Sequence, residues 1–343
     1  MKKARVLLTA PNLLVNEGEL SRIEPPMGLL LFAPLLQQDG HEVLIKDFAL
    51  EGWDTLTPFD LKNKRYIRGA TEEYMAKVIS DFNPDILGIS VLYSSLIDSA
   101  KTVAKIAKKI NPKITVIVGG NCISNSVVDY KFYLADKINS GLPDYITHFE
   151  GEDFDYAMTG EAEYPFKEFV NSIINNKDVS KIPGLIIRTG EKEYQINPAK
   201  TLHDLNLLPR PARHMVDMEA YFKIGHFHSS KSRSKRVLSV MCSRGCPEKC
   251  TFCTTPEVYG QLTRWRSINH IMDEISNHVR EFDIGEIQFN DDTITVNKKN
   301  LYALCKELEK IGLPWCTPNG TKVNYHLKNQ FEMYKKMADS GCY

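Results

Sequence analysis

MCSRGCPEKCTFC, residues 241–253, holds four of the chain's eight cysteines, Cys242, Cys246, Cys250 and Cys253. It closes an apolar run, RVLSVMC (236–242), that reads as a β-strand, so the cysteines fall in the loop that leaves it. Such a loop suits disulfides, a structural zinc or a cluster that does chemistry. The choice among these decides what the surrounding elements are for.

The compartment removes the first option. No apolar run approaches the roughly 18 residues that a membrane span needs. The opening MKKARVLLTAPNLL has too short an apolar core for a signal peptide, and RVLLTAP reads as a first strand. A cytoplasmic location follows, where thiols stay reduced and clustered cysteines mean metal or catalysis. Lys+Arg and Asp+Glu both number 43, a balance that gives no sign of a nucleic-acid or membrane partner. The basic run KSRSKR (231–236) reads as a solvated linker.

Spacing then separates zinc from a cluster. Structural zinc takes two spaced pairs of ligands, whereas Cys246, Cys250 and Cys253 form a single C-x3-C-x2-C triplet with only His226 and His228 upstream. Three thiolates suit three irons of a 4Fe–4S cube, and the fourth iron needs a further ligand. Cys242 is the candidate, although free cysteines are among the most buried residues and a packed thiol at the strand end is the plainer reading. Without Cys242 one iron stays open, the mark of a catalytic rather than a closed metal site.

Around this loop the chain alternates strand and helix signals. ARVLLTAP, HEVLIKD (41–47), ILGISVL (86–92), KITVIVGG (113–120) and YAMTG (156–160) read as strands, separated by helices at Met27–Gln38 and Thr71–Phe82. A further helix carries the stripe Ile97, Ala100, Ala104, Ala107 and Ile110. This order predicts an α/β fold opening with a doubly wound parallel sheet over 1–178. From 179 to 230 a small hairpin (GLIIRTG, EYQIN) and the proline-punctuated LPRPARHMVDMEAYF read as a connector. Over 231–343 the alternation resumes, with Ser267 as the N-cap of a helix bearing Ile268, Ile271, Ile275 and Val279. GEIQFNDD, a helix over Asn297–Ile311, the strand and loop PWCTPNGTKVN, and a helix over Asn329–Asp339 follow.

The triplet, with Phe252 just before its last cysteine, resembles the signature of the radical S-adenosylmethionine (radical SAM) enzymes. GQLTRWRSINHIMDEI (260–275) and EIQFNDDTIT (286–295) resemble the segments that follow it in cobalamin-type members, and PNGTKVN (318–324) resembles their third-strand motif, with Lys322 where relatives carry arginine. The resemblance implies a partial (β/α) barrel with Cys246, Cys250 and Cys253 on the cluster. It also implies S-adenosylmethionine beside Phe252, Asn290, Asp291 and Asp292. For either aspartate alone, capping the next turn is an equally good reading. No side chain stands out as a catalytic acid or base.

The first half resembles the cobalamin-binding domain fused to these enzymes, on PPMGLLLFAPLLQQDGHEV (25–43), PDILGISVLYSSL (84–96), VIVGGNCIS (116–124), DYAMTGEAE (155–163) and the connector. Ligands of open α/β sheets bind beyond the strands' carboxyl ends. That points to Ser90, Leu92, Tyr93, Ser94 and Ser95, to Gly119, Gly120 and Asn121, and to Gly160 and Glu161, with the glycines equally readable as turns. Asp-x-His-x-x-Gly, which supplies a cobalt-ligating histidine in other cobalamin domains, is missing, and His41 reads as a surface residue. Cobalt without a histidine ligand is the expectation. The stretch 126–156 is longer than expected and has no assigned role.

The resemblance implies a methyltransferase acting on an unactivated carbon of a small molecule, fed by a flavodoxin- or ferredoxin-type electron donor. A cyclase or rearrangement enzyme with the same cofactors is the second reading, and a cobalamin carrier or sensor with a structural metal the third. An RNA methylthiotransferase would need further N-terminal cysteines, and Cys122 stands alone there. Only three barrel strands are legible before MADSGCY (337–343), so the sequence is expected to be a truncated form of a longer protein.

Overall fold

The computed structural model describes residues 2–136, 153–190, 193–229, 231–322, 328 and 330–343. The chain divides into two compact units. One comprises Met1–Ser21, Pro25–Thr201 and Pro209–Val216, the other Arg22–Glu24, Leu202–Leu208 and Asp217–Tyr343.

The first unit is built on β1 (Arg5–Ala10), which pairs in parallel with β3 (Glu42–Asp47) on one side and β6 (Ile86–Ser90) on the other. Beyond β6 lie β7 (Thr115–Gly119) and β8 (Tyr156–Met158), also parallel. Taken in chain order these five strands run 2-1-3-4-5, a doubly wound arrangement whose switch point lies between β1 and β6. Successive side chains of β1 point to opposite faces, and both faces are apolar. Leu7, Leu87 and Val116 meet α3 (Glu72–Phe82) and α4 (Ile97–Ile110), whereas Val6, Leu8 and Ile117 meet α1 (Met27–Gln38) and α6 (Glu163–Ile174). Along α4 the buried stripe is Ile97, Ala100, Val103, Ala104 and Ala107, and Ile110, expected within it, is exposed.

Three features depart from the sequence reading, and the stretch 126–156 is described in part. The hairpin of β9 (Leu185–Gly190) and β10 (Glu193–Ile196), assigned by sequence to a connector, extends the first sheet, because β9 pairs antiparallel with β8. A three-stranded antiparallel sheet of β2 (Leu13–Asn16), β5 (Arg65–Arg68) and β4 (Leu56–Asp60) was not read at all. β4 is mostly exposed, β5 is half-buried throughout and β2 buries only Val15, so none shows the apolar alternation that marks a strand. His41 is buried rather than superficial. Its Nδ1 accepts from the Ala4 N–H (3.0 Å), which fixes the tautomer so that Nε2 donates to Asn171 Oδ1 (3.2 Å). Of the stretch 126–156, the helix α5 (Asn121–Asp136) covers the beginning, and residues 137–152 lie outside the described residues.

The second unit contains the parallel strands β11 (Val237–Val240), β14 (Glu286–Phe289) and β15 (Trp315–Cys316). Helices α9 (Ile268–Phe282) and α10 (Lys298–Ile311) connect them, each N-capped by the side chain before it, Ser267 and Asn297. The short α7 (Met218–Ile224) precedes β11, and α11 (Gln330–Asp339) follows β15. Residues 341–343 also run parallel to β15, through a Trp315–Cys342 bridge and a hydrogen bond from the Tyr343 N–H to Trp315 O (3.2 Å). The third strand, β15, is therefore paired on its outer side as well.

Unlike the first sheet, this one has two chemically different faces. Leu238, Val240, Ile287, Phe289 and Trp315 form one, and the register places Ser239, Glu286, Gln288 and Cys316 together on the other. These four are buried as well. Buried polar groups must be hydrogen-bonded, and Glu286 meets this through Gln288 Nε2 (2.8 Å), the Tyr343 hydroxyl (2.6 Å) and the N–H groups of Arg233 and Ser234.

Candidate functional site

The cysteine loop leaves β11 and is closed at its base by a ribbon of β12 (Ser243–Arg244) and β13 (Arg264–Trp265). Gly245 makes the closure possible. Its φ is +89°, and a Cβ there would lie 2.6 Å from Leu262 O and 2.9 Å from Gly260 O. The Cys246 N–H bonds to Gly260 O (3.2 Å), and Thr263 Oγ1 donates to Gly245 O (3.2 Å). Between these ties the backbone is irregular up to α8 (Thr255–Tyr259), except for a turn in which the Cys253 N–H bonds to Cys250 O (3.1 Å). Cys246 is buried, Cys250 and Cys253 are exposed, and Phe252 is 89% exposed.

The residues after β14 hold this loop from the other side. Asp291, 2% exposed, accepts from the Cys242 N–H (3.0 Å) and from both the N–H and the hydroxyl of Ser243 (2.5 Å each). Burial pushes its carboxyl up to about 6 despite these three donors. Asp292, also raised by burial, accepts from Thr255 Oγ1 (3.3 Å) and from the Gly245 N–H. Thr293 Oγ1 lies 3.8 Å from Cys246 Sγ. Three consecutive residues thus clamp the strand exit, the loop's glycine and its first motif cysteine. Asn319 Nδ2 braces the same turn through Asn290 O and Asp291 O (3.2 Å each). Lys322 forms an ion pair with Glu248 inside the loop. Beneath the loop, Arg266 spans a buried pair with Glu274 (2.6 Å) and donates to Met241 O (2.9 Å).

All eight cysteines are free thiols. Cys242 is fully buried, and desolvation together with the Asp291 charge drives its pKa well up, so it behaves as a packed, protonated thiol. Among the described residues no three of His, Cys, Asp and Glu converge on one point. Each cysteine of a cubane binds a different iron, so the chemistry of the donor set is the relevant test. Soft thiolates on an open loop fit an iron–sulfur cluster.

In the first unit, the residues singled out for cobalamin lie along the carboxyl edge of the sheet, at the ends of β6, β7 and β8. Ser90 ends β6, and after it Leu92 and Tyr93 are 50% and 63% exposed, followed by exposed Ser94 and Ser95. Gly119 ends β7, and exposed Asn121 opens α5. Large apolar side chains at the surface beside hydroxyls and an amide fit a broad, partly apolar ligand. Two of the glycines have a nearer explanation. A Cβ on Gly120 (φ +102°) would meet Val91 O at 2.5 Å, and one on Gly160 (φ +76°) would meet Ala199 Cβ at 2.5 Å. The Gly160 N–H bonds to Ser124 Oγ (2.9 Å), and Glu161 is buried. No residue of 10–12, 90–96, 119–121 or 159–161 is a histidine. His41 sits before β3, at the opposite, amino edge of the sheet.

The fold and these two sites define a class: an α/β ligand-binding unit joined to a second unit carrying a clamped three-cysteine loop. The comparisons with known proteins agree. The B12-binding domain matches residues 15–139. Cytidylyl-2-hydroxyethylphosphonate methyltransferase of Streptomyces wedmorensis is 29% identical over 99% of this chain and 64% of its own length. The anaerobic magnesium-protoporphyrin IX monomethyl ester cyclase of Rubrivivax gelatinosus is 23% identical over 91% of this chain and 49% of its own. Among solved structures, the radical S-adenosylmethionine methyltransferase TsrM of Kitasatospora setae, with cobalamin and a [4Fe-4S] cluster bound, superposes with a TM-score of 0.65. It is 16% identical, covering 99% of this chain and 57% of TsrM. Residues 15–139 thus match a B12-binding domain, the curated relatives are named as a methyltransferase and a cyclase, and the solved structure of similar fold is a radical S-adenosylmethionine methyltransferase with cobalamin bound, the class that the cysteine motif resembles. It spans about half to two-thirds of their length.

Residues that the sequence reading missed include Thr293 and Ser243, which hold the loop without belonging to the motif. A hydroxyl three or four positions past a strand carries no signal of its own. Glu24 was also missed, and no local pattern could have revealed it.

Proposed function

We propose that this chain is the cofactor-binding part of a cobalamin-dependent radical SAM methyltransferase acting on an unactivated carbon of a small molecule. The observation that carries this reading is the C-x3-C-x2-C loop held by the buried carboxylates after β14, in a chain with a B12-binding domain. Cys246, Cys250 and Cys253 would hold the cluster, leaving one iron for S-adenosylmethionine, and β11, β14 and β15 would form the start of a partial barrel. Together these cofactors supply a carbon-centred radical and a transferable methyl group. The chain's own residues do the positioning. Asp291 fixes the strand exit, Asp292 and Thr293 fix the loop at Gly245 and Cys246, and Lys322 neutralises Glu248 within it. Asn290 and exposed Phe252 face the nucleoside in this reading. The sheet edge from Ser90 to Ser95, with Gly119, Gly120, Asn121, Gly160 and Glu161, would hold cobalamin, and none of these residues is a histidine. A flavodoxin- or ferredoxin-type donor in the reducing cytoplasm supplies electrons.

The test is anaerobic reconstitution with iron, sulfide and cobalamin, followed by assay for 5′-deoxyadenosine from S-adenosylmethionine. About four irons per chain with matching sulfide and a 5′-deoxyadenosine signal support the reading. Stoichiometric zinc without sulfide would make the chain a cobalamin carrier or sensor instead. S-adenosylhomocysteine alongside a methylated product separates the methyltransferase from the cyclase chemistry that the Rubrivivax relative's name describes.

A further inference from the structure

Glu24 belongs to the short segment Arg22–Glu24 that packs with the second unit. The Ile23 N–H bonds to His226 O (2.9 Å), and Ile23 is buried. This delivers the Glu24 carboxylate to the polar face of the second sheet. Its Oε2 accepts from Ser239 Oγ of β11 (3.0 Å) and from Asn290 Nδ2, just past β14 (2.9 Å). The carboxylate fixes how the Asn290 amide is turned, because the opposite orientation would set two oxygens against each other. Two acceptors are left over. Glu24 Oε1 and Asn290 Oδ1 are both buried and have no hydrogen-bond partner. The nearest cation candidate, His228 Nδ1, stands 3.8 Å from Glu24 Oε1, beyond hydrogen-bond reach.

Buried acceptors without donors are costly, and native structures explain each one. Here both occur together, one of them on a carboxylate, at the carboxyl ends of two parallel strands. Asn290 lies one residue before the Asp291–Thr293 clamp on the cysteine loop, and Glu24 is hydrogen-bonded to it. We propose that Glu24 and Asn290 form a binding subsite for hydrogen-bond donors of S-adenosylmethionine, its protonated amine or its ribose hydroxyls. This rests on the reading of the second unit as a radical SAM unit. It adds a binding residue that precedes the cysteine motif by more than two hundred positions. The negative charge favours the ammonium, and a carboxylate oxygen beside an amide oxygen suits a group with more than one donor.

The experiment uses the full chain, reconstituted anaerobically, with calorimetric titration of S-adenosylmethionine, S-adenosylhomocysteine and 5′-methylthioadenosine, which lacks the amine. Glu24→Gln keeps the size of the side chain and an acceptor for Ser239 and Asn290 but loses the charge, and Glu24→Ala removes both. If the amine occupies the subsite, Glu24→Gln weakens S-adenosylmethionine and S-adenosylhomocysteine by about ten-fold or more and leaves 5′-methylthioadenosine unchanged. If the ribose occupies it, all three weaken together. Thermal midpoints equal to the parent's for Glu24→Gln exclude a folding defect as the cause. Unchanged affinities for all three ligands in both variants overturn the subsite. A parent chain that binds none of the ligands while retaining its cluster overturns the radical SAM reading, and the subsite with it.

Discussion

Asp291 shows how one side chain can be costly to bury and still indispensable. It is the shared acceptor of three donors, the Cys242 N–H and both groups of Ser243, all of which lose it when the carboxylate is removed. Asp291→Ala should therefore destabilise the chain by roughly 2–4 kcal/mol in a denaturant titration. The same residue sets a pH dependence in the cofactor-free chain. Its folded pKa of about 6 lies above the ordinary 3.8, so the folded state holds this proton more tightly than the unfolded one. The stabilisation is complete below about pH 4 and is lost as pH rises through about 6, by about 3 kcal/mol at most. Asp291→Asn should flatten that part of the stability-versus-pH curve, and an unchanged slope would remove the assignment. Among the cysteines, Cys246→Ala, Cys250→Ala and Cys253→Ala should each lower iron and sulfide per chain after reconstitution. Cys242→Ala should leave the iron in place, because Cys242 is packed away beside Asp291.

At the scale of elements, the cysteine loop depends on the geometry of its base. Gly245→Ala must place a methyl group against two carbonyl oxygens at a φ that alanine disfavours. A loss of roughly 2 kcal/mol or more is expected, with a parallel fall in iron per chain, and full iron incorporation would show that the ribbon is not what shapes the loop. The elements also show what was legible in the sequence. Doubly apolar strands such as ILGIS and TVIVG announced themselves, and Ser267 gave the start of α9, because burial and capping are local signals. The sheet of β2, β4 and β5 was hidden because strands that bury only Val15 carry no apolar period. His41 was misjudged because its partners, Ala4 and Asn171, are remote in sequence. The cysteine spacing told which residues to watch, whereas the clamp of Asp291, Asp292 and Thr293 needed coordinates, since acceptors and donors there are 37 to 49 positions apart.

For the molecule as a whole, each unit is expected to answer to its own ligand. Cobalamin at a hundred times its Kd stabilises whatever binds it by about 2.7 kcal/mol. Hydrogen exchange should show that protection at 90–96, 119–121 and 159–161, and protection confined to β2, β4 and β5 instead would move the cobalamin site. The cob(II)alamin EPR spectrum should lack nitrogen superhyperfine splitting from histidine, as the absence of histidine from those segments implies. The path of the chain has a practical outcome for dissecting the protein. Residues 22–24, 202–208 and everything from Asp217 belong with the cysteine loop, while 1–21, 25–201 and 209–216 belong with the first sheet. No single scission can yield two intact halves. A gene fragment beginning anywhere after Glu24 encodes a second unit without the carboxylate that binds Ser239 and Asn290, and a split-protein experiment on this chain must restore that tripeptide in trans or by circular permutation.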